Sequence, residues 1–178
     1  MNSENLKAHH HKHHAGRKDL TGEHWLGDTI QLILLILFLT VWILDSFLLD
    51  FSTFPAAYVP GFIRWPAGVI LLVMGSYLAR SGMKAVFGTP QETPHVITGG
   101  VFSVVRHPIY LAAILFYAGL ICMTLSLASA ALLLLIIPFY YFISRYEETL
   151  LTERFGNEYR EYMGKVPMLF PLKIRREG

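Results

Sequence analysis

The sequence predicts an all-α protein: a polytopic membrane bundle of about four transmembrane helices, closed by an amphipathic C-terminal helix on the cytoplasmic side. Three observations carry this expectation. Apolar residues make up 53% of the 178 and charged residues only 16%, against roughly 25% charged in soluble domains. Apolar runs recur at lengths that reach across a hydrocarbon core. Lysine and arginine alternate between the segments that join those runs. By length the chain is one domain, expected over residues 29–171, between a polar leader 1–28 and a basic tail 172–178.

The leader carries His9, His10, His11, His13 and His14, a composition that suits transition metals and equally an incidental polar segment, so no metal ligands are assigned. The first apolar run lies behind it, so no cleavable signal peptide is expected. Thr29 to Leu49 gives 21 residues with one charge, Asp45, or about 31 Å of helix, enough to cross the core. Phe51 to Gly61 holds two prolines and reads as a loop. A second span is expected from Phe62 to about Ala79, with Arg64 snorkelling and Trp65 at the interface. Arg80 to His107 then reads as a polar, glycine-containing loop.

Pro108 to Ser144 is 37 residues without a charge. As one helix it would be about 55 Å long, so it is read as two spans joined near Met123–Ser129. Pro138 lies inside the second, a position tolerated in a bundle. From Glu147 the chain reads as an amphipathic helix with Leu151, Phe155, Tyr159 and Tyr162 on one stripe, stopped by Gly164 and Pro167.

Lysine and arginine number 4 in the leader, 0 in the first loop beyond Arg64, 3 from Arg80 to Arg106, 0 in the hairpin turn and 7 from Arg145 onward. This alternation places both termini in the cytoplasm of a multi-pass protein, expected in a prokaryotic inner membrane. The single cysteine, Cys122, excludes a disulfide framework. No basic face with interleaved aromatics points to nucleic acid, and no phosphate-binding glycine loop is present.

Chemistry must therefore come from two boundary clusters that the hairpin brings to one face. Arg106 offers a fork of donors suited to a carboxylate. His107 exchanges a proton near neutral pH. Glu147 and Glu148 suit an ammonium, or would orient Arg106 and Arg145. Gly99 and Gly100 would admit a flat ligand close to the backbone. Plainer readings stand beside these: Arg106 as a topological anchor, His107 as a helix cap, the glutamates as the solvated first turn of the tail helix.

The pattern H-x-I-T-x-G-x-F-x-x-V-R-H-P-x-Y (His95 to Tyr110), an apolar hairpin, then E-E-x-x-L-x-x-x-F-G-x-E-Y-x-x-Y and V-P-x-x-F-P (Glu147 to Pro171) resembles the isoprenylcysteine carboxyl methyltransferase family and the related phospholipid methyltransferases. The resemblance implies an integral membrane enzyme that uses S-adenosylmethionine and acts on a lipophilic acceptor: an isoprenylcysteine carboxylate, a phospholipid amine or another small apolar molecule. It assigns His95, Gly100, Arg106, His107, Pro108, Tyr110, Glu147 and Glu148 to the cofactor pocket, with Arg106, His107 and Glu148 nearest the chemistry. Phe102 departs from the tyrosine common at its position in that family. The C-terminal half of NADPH-dependent sterol reductases has a similar layout, but its tail carries cysteine and tryptophan where this chain has FGNEY. A non-catalytic membrane scaffold is the third reading.

Overall fold

The structure, a computed structural model, describes residues 25–88 and 95–171. The histidine-rich leader and the basic tail lie outside the described residues. Five α-helices form a bundle, and no strand occurs among the described residues.

Helix α1, Trp25–Ile43, widens into a π-helical turn, Leu44–Leu49. That turn directs Asp45 inward, where hydroxyls and a backbone amide meet it. Asp45 accepts from the Ser52 N–H at 2.9 Å and from the Ser52 and Ser126 hydroxyls at 2.5 Å each. Ser126 in turn caps helix α4 by accepting from the Ser129 N–H, and Ser52 accepts from the Ala128 N–H. One buried carboxylate thus ties the loop after α1 to the turn before α4. This satisfies the rule that a buried charge be fully hydrogen-bonded.

Helix α2 runs Gly61–Phe87, eight residues beyond the end expected from charge alone. Arg80 and Lys84 lie within it, because polar residues at the end of a span can remain helical while their heads reach water. Gly68, Gly75 and Gly82 are buried along it at seven-residue spacing. They let α2 lie directly on α3, Pro108–Thr124. A Cβ on Gly68 would fall 2.7 Å from the Gly119 carbonyl oxygen, and one on Gly75 would fall 3.0 Å from that of Ala112. Between helices surrounded by lipid, such backbone approach supplies the packing that the hydrophobic effect cannot.

Helix α3 is 17 residues long and ends where Leu125 turns left-handed at φ 54°. The hairpin therefore reverses at Leu125–Ser126, inside the expected turn. Helix α4, Leu127–Phe155, passes through Pro138 without a break. The helices over Thr29–Leu49, Gly61–Phe87 and Leu127–Phe155 are long and apolar enough to cross a membrane, and α3 is a shorter apolar helix among them. Their outward residues, such as Leu32, Ile36, Val73, Leu134 and Leu135, are exposed, as a lipid-facing surface requires. The core gathers Phe38, Tyr110, Ile114, Tyr117, Ile136 and Tyr140.

The tail differs from expectation. Glu147 and Glu148 do not begin a separate helix; they lie in α4, which continues to Phe155. Gly156, at φ 58° and ψ −125°, then breaks the chain direction before α5, Asn157–Lys165. Gly164 lies within α5 rather than stopping it, and the helix gives way to extended backbone at Val166 ahead of Pro167. The apolar stripe is thus shared between two helices, and Leu151, Phe155, Tyr159 and Tyr162 still pack into one cluster with Val96.

Candidate functional site

Backbone pairing places the site. The Arg106 N–H donates to the Pro167 carbonyl at 2.9 Å and the His107 N–H to that of Met168 at 3.1 Å. The segment after α5 is thereby strapped across the entry to α3, and Leu169 is buried in the bundle core. Pro108 opens α3, where its missing N–H costs no hydrogen bond. One helical turn on, Tyr110 faces the same way as His107. The two rings stack at 5.6 Å with 5° between their planes, and Tyr110 stacks in turn on Tyr140.

Helix α4 supplies the acids. Arg106 Nε approaches Glu148 Oε1 at 2.7 Å, and Arg106 Nη1 donates to the Met163 carbonyl at 2.7 Å. His107 lies between the two glutamates, with Nδ1 3.4 Å from Glu147 Oε2 and Nε2 3.4 Å from Glu148 Oε1. The Tyr110 hydroxyl donates to Glu147. Side-chain exposure is 10% for Arg106, 4% for Glu148 and 25% for Glu147. Neither Arg106 nor Glu148 is therefore a solvated surface charge, and Glu148 is not the solvated first turn of a tail helix.

These charges lie close together, and several of their buried polar atoms make no hydrogen bond. Among the described residues Arg106 Nε, His107 Nε2 and both carboxylate oxygens of Glu148 are buried and have no hydrogen-bond partner. The Arg106–Glu148 approach is an ion contact whose direction is wrong for a bond. Four such atoms in one place stand out in a folded protein, where buried polar atoms are nearly always satisfied. Burial disfavours the His107 imidazolium, but the adjacent Glu147 and Glu148 carboxylates outweigh it, so its pKa lies above the ordinary value of 6.5. Over the cluster, the Tyr162 hydroxyl donates to the Phe102 carbonyl at 2.6 Å. Burial pushes Tyr162 up to about 12 and Tyr159 higher still, so both stay protonated.

Six of the eight residues that the sequence singles out, Arg106, His107, Pro108, Tyr110, Glu147 and Glu148, converge here. His95 and Gly100 lie on exposed backbone leading into the cluster. Gly100 has φ 62°, which explains a glycine there, but a Cβ at Gly99 or Gly100 would meet nothing within 4 Å. Arg145 is exposed. Sequence reasoning missed the Met163, Pro167 and Met168 carbonyls, which carry no side-chain signal. It also took Tyr159 and Tyr162 for apolar stripe, although tyrosine at a buried position brings a hydroxyl that must find a partner.

Comparison with known proteins adds to this geometry. A family described as phospholipid methyltransferase matches residues 63–158, a stretch from the start of α2 to the start of α5 that contains Arg106, His107, Tyr110, Glu147 and Glu148. Among curated proteins, the cobalt-zinc-cadmium resistance protein CzcN of Cupriavidus metallidurans is 32% identical over 125 residues, 65% of this chain and 57% of its own length. The nickel-cobalt-cadmium resistance protein NccN of Alcaligenes xylosoxydans xylosoxydans is 30% identical over 112 residues, 60% of this chain and 52% of its own length. The chain spans about half the length of the curated relatives it matches. No solved structure matches it.

Proposed function

The chain belongs to the phospholipid methyltransferase family, and on that premise we propose that it transfers a methyl group from S-adenosylmethionine to a lipophilic acceptor where α3, α4 and the strap after α5 meet. The carrying observation is the set of buried, unsatisfied polar atoms on Arg106, His107 and Glu148. Glu148, whose carboxylate oxygens accept no hydrogen bond among the described residues although Oε1 lies 2.7 Å from Arg106 Nε, suits an ammonium; Arg106, held by that ion pair and by the Met163 carbonyl, suits a carboxylate. The amino-acid end of S-adenosylmethionine carries both groups, so the residues fit it. When bound, the cofactor supplies an activated methyl on a sulfonium whose charge is lost on transfer.

The chain's own residues then do four things. Glu148 and Arg106 hold and orient the amino-acid end. His107, within 3.4 Å of both glutamates, serves to position them. Glu147, the more exposed carboxylate, is the group placed to take a proton from an amine acceptor; a carboxylate acceptor requires none. The strap and α5 cover the cluster and exclude water, so positioning supplies most of the rate. Apolar acceptors enter from the bilayer between helices, on the cytoplasmic side assigned by the charge alternation.

The test uses purified protein, methyl-labelled S-adenosylmethionine and a membrane lipid extract, with mass spectrometry for any product heavier by one methyl. Arg106→Ala and Glu148→Gln should each weaken S-adenosylhomocysteine binding by about tenfold, as loss of one charge-assisted contact implies. Neither binding nor transfer in the wild type would reject the reading. A thermal shift with NADPH but not with S-adenosylhomocysteine would favour a reductase instead.

The names of the two relatives support a second, physiological reading: methyl transfer by this chain contributes to tolerance of cobalt, zinc or cadmium. A strain lacking the chain should grow poorly in those cations and be rescued by the wild type but not by Glu148→Gln. Equal rescue by that variant would separate tolerance from methyl transfer.

A further inference from the structure

At the opposite end of the bundle a recess of about 200 Å³ is lined by Ser46, Asp50, Thr53, Arg64, Trp65 and Thr124, among others. Arg64 lies in the first turn of α2 and is half-buried. Its Nη1 donates to the Met123 carbonyl at 2.9 Å, at the end of α3. Its Nε, like the Ser46 hydroxyl, is buried and has no hydrogen-bond partner among the described residues. No carboxylate lies within ion-pair distance of Arg64 among the described residues. Asp50 accepts from the Thr53 hydroxyl and has no cationic partner there either. The half-buried Arg64 and the exposed Asp50 thus line one recess without pairing.

A half-buried charge left without its counter-charge is costly. Pairing the two with each other would be the simple remedy, and the fold does not use it. A ligand carrying both signs a few atoms apart would give Arg64 the counter-charge it lacks and meet the exposed Asp50 carboxylate at the rim. We propose that this recess binds the headgroup of a zwitterionic aminophospholipid, its phosphate on Arg64 and the Ser46 hydroxyl, its ammonium on Asp50.

Two observations favour a lipid over a soluble phosphate. Trp65, Tyr58, Phe54 and Phe62 are all exposed around this end of the bundle, as in the aromatic belt that marks headgroup depth. The 17 residues of α3 set the recess about 25 Å from the Arg106–Glu148 cluster, most of a hydrocarbon core away. The bound lipid therefore belongs to the other leaflet and is not the methyl acceptor at the catalytic end.

Native mass spectrometry of the full chain in detergent tests this, with phosphatidylethanolamine, phosphatidylglycerol and inorganic phosphate added separately. Phosphatidylethanolamine should be held about tenfold more tightly than phosphatidylglycerol, the scale of one charge-assisted contact. Arg64→Gln, which keeps a donor for the Met123 carbonyl, should weaken both lipids. Asp50→Asn should abolish the preference for the amine headgroup while leaving phosphatidylglycerol binding in place. Glu148→Gln should change none of this. Equal binding of both lipids by the wild type, or an unchanged preference in Asp50→Asn, overturns the proposal. Inorganic phosphate held as tightly as the lipid overturns the lipid assignment. If Arg64→Gln does not fold, the wild-type preference and Asp50→Asn decide the matter.

Discussion

Glu148 and Arg106 illustrate how strongly a buried charge depends on its neighbour. With side-chain exposures of 4% and 10%, each has lost most of its water, and removing one strands the other. Glu148→Ala should therefore destabilise the protein by about 3–5 kcal/mol, whereas Arg106→Ala combined with Glu148→Ala should cost less than the sum of the two single changes. Denaturant unfolding of the four proteins in one detergent reads this directly, and additive costs would show that the 2.7 Å contact carries no coupling. His107 makes a pH prediction. Its folded pKa is raised above 6.5, so the stability that its imidazolium contributes is complete below 6.5. That contribution is lost as pH rises through the higher folded value. The His107 ring should titrate above 6.5 by NMR, and thermal stability should fall across that same interval in the wild type but not in His107→Gln. A midpoint below 6.5 would mean that burial, not the glutamates, dominates.

At the level of the helix, the glycines divide into positions where a methyl has room and positions where it does not. Alanine in a helix interior is favoured over glycine by roughly 0.5–1 kcal/mol. Gly164 meets nothing within 4 Å, so Gly164→Ala should stabilise by about that amount. Gly68 and Gly75 face backbone oxygens of α3 at 2.7 and 3.0 Å, so alanine there must force the helices apart at a cost of about 1–3 kcal/mol. Gly156→Ala should also be costly, because its φ of 58° strains any side chain. Thermal unfolding of the four variants should rank Gly164 above wild type and the other three below it. The same elements show what was legible in the chain. The runs Thr29–Leu49 and Pro108–Ser144 could be read because length and lack of charge are local properties. The end of α2 could not, since Arg80 and Lys84 look like a loop when hydropathy is the only guide. The break at Gly156 was hidden by a stripe whose spacing runs through it. The convergence of Arg106 with Glu148 was legible from the hairpin, whereas the recruitment of Ser126 by Asp45, 81 positions away, depends on a tertiary contact no local pattern encodes.

The whole molecule has two polar ends with different contents: a cluster of packed, largely buried charges at the Arg106 end, and the satisfied Asp45 cluster with the Arg64 recess at the other. The 4, 0, 3, 0, 7 distribution of Lys and Arg assigns the Arg106 end to the cytoplasm, because translocating basic loops is unfavourable. This orientation is a proposal with a direct test, since Cys122 is the only cysteine and can be replaced by serine. Tyr58 is 83% exposed in the loop at the Arg64 end, and Arg160 is exposed on α5 at the other. In that background Tyr58→Cys should react with a membrane-impermeant maleimide on intact spheroplasts, and Arg160→Cys only after the membrane is opened. The inverse pattern would place the Arg106–Glu148 cluster on the outer face, where no cytoplasmic supply of S-adenosylmethionine reaches it, and would overturn the proposed methyl transfer together with the topology. Labelling of both positions from outside would contradict the bundle itself, because α2, α3 and α4 hold these two ends apart by the length of a membrane-crossing helix.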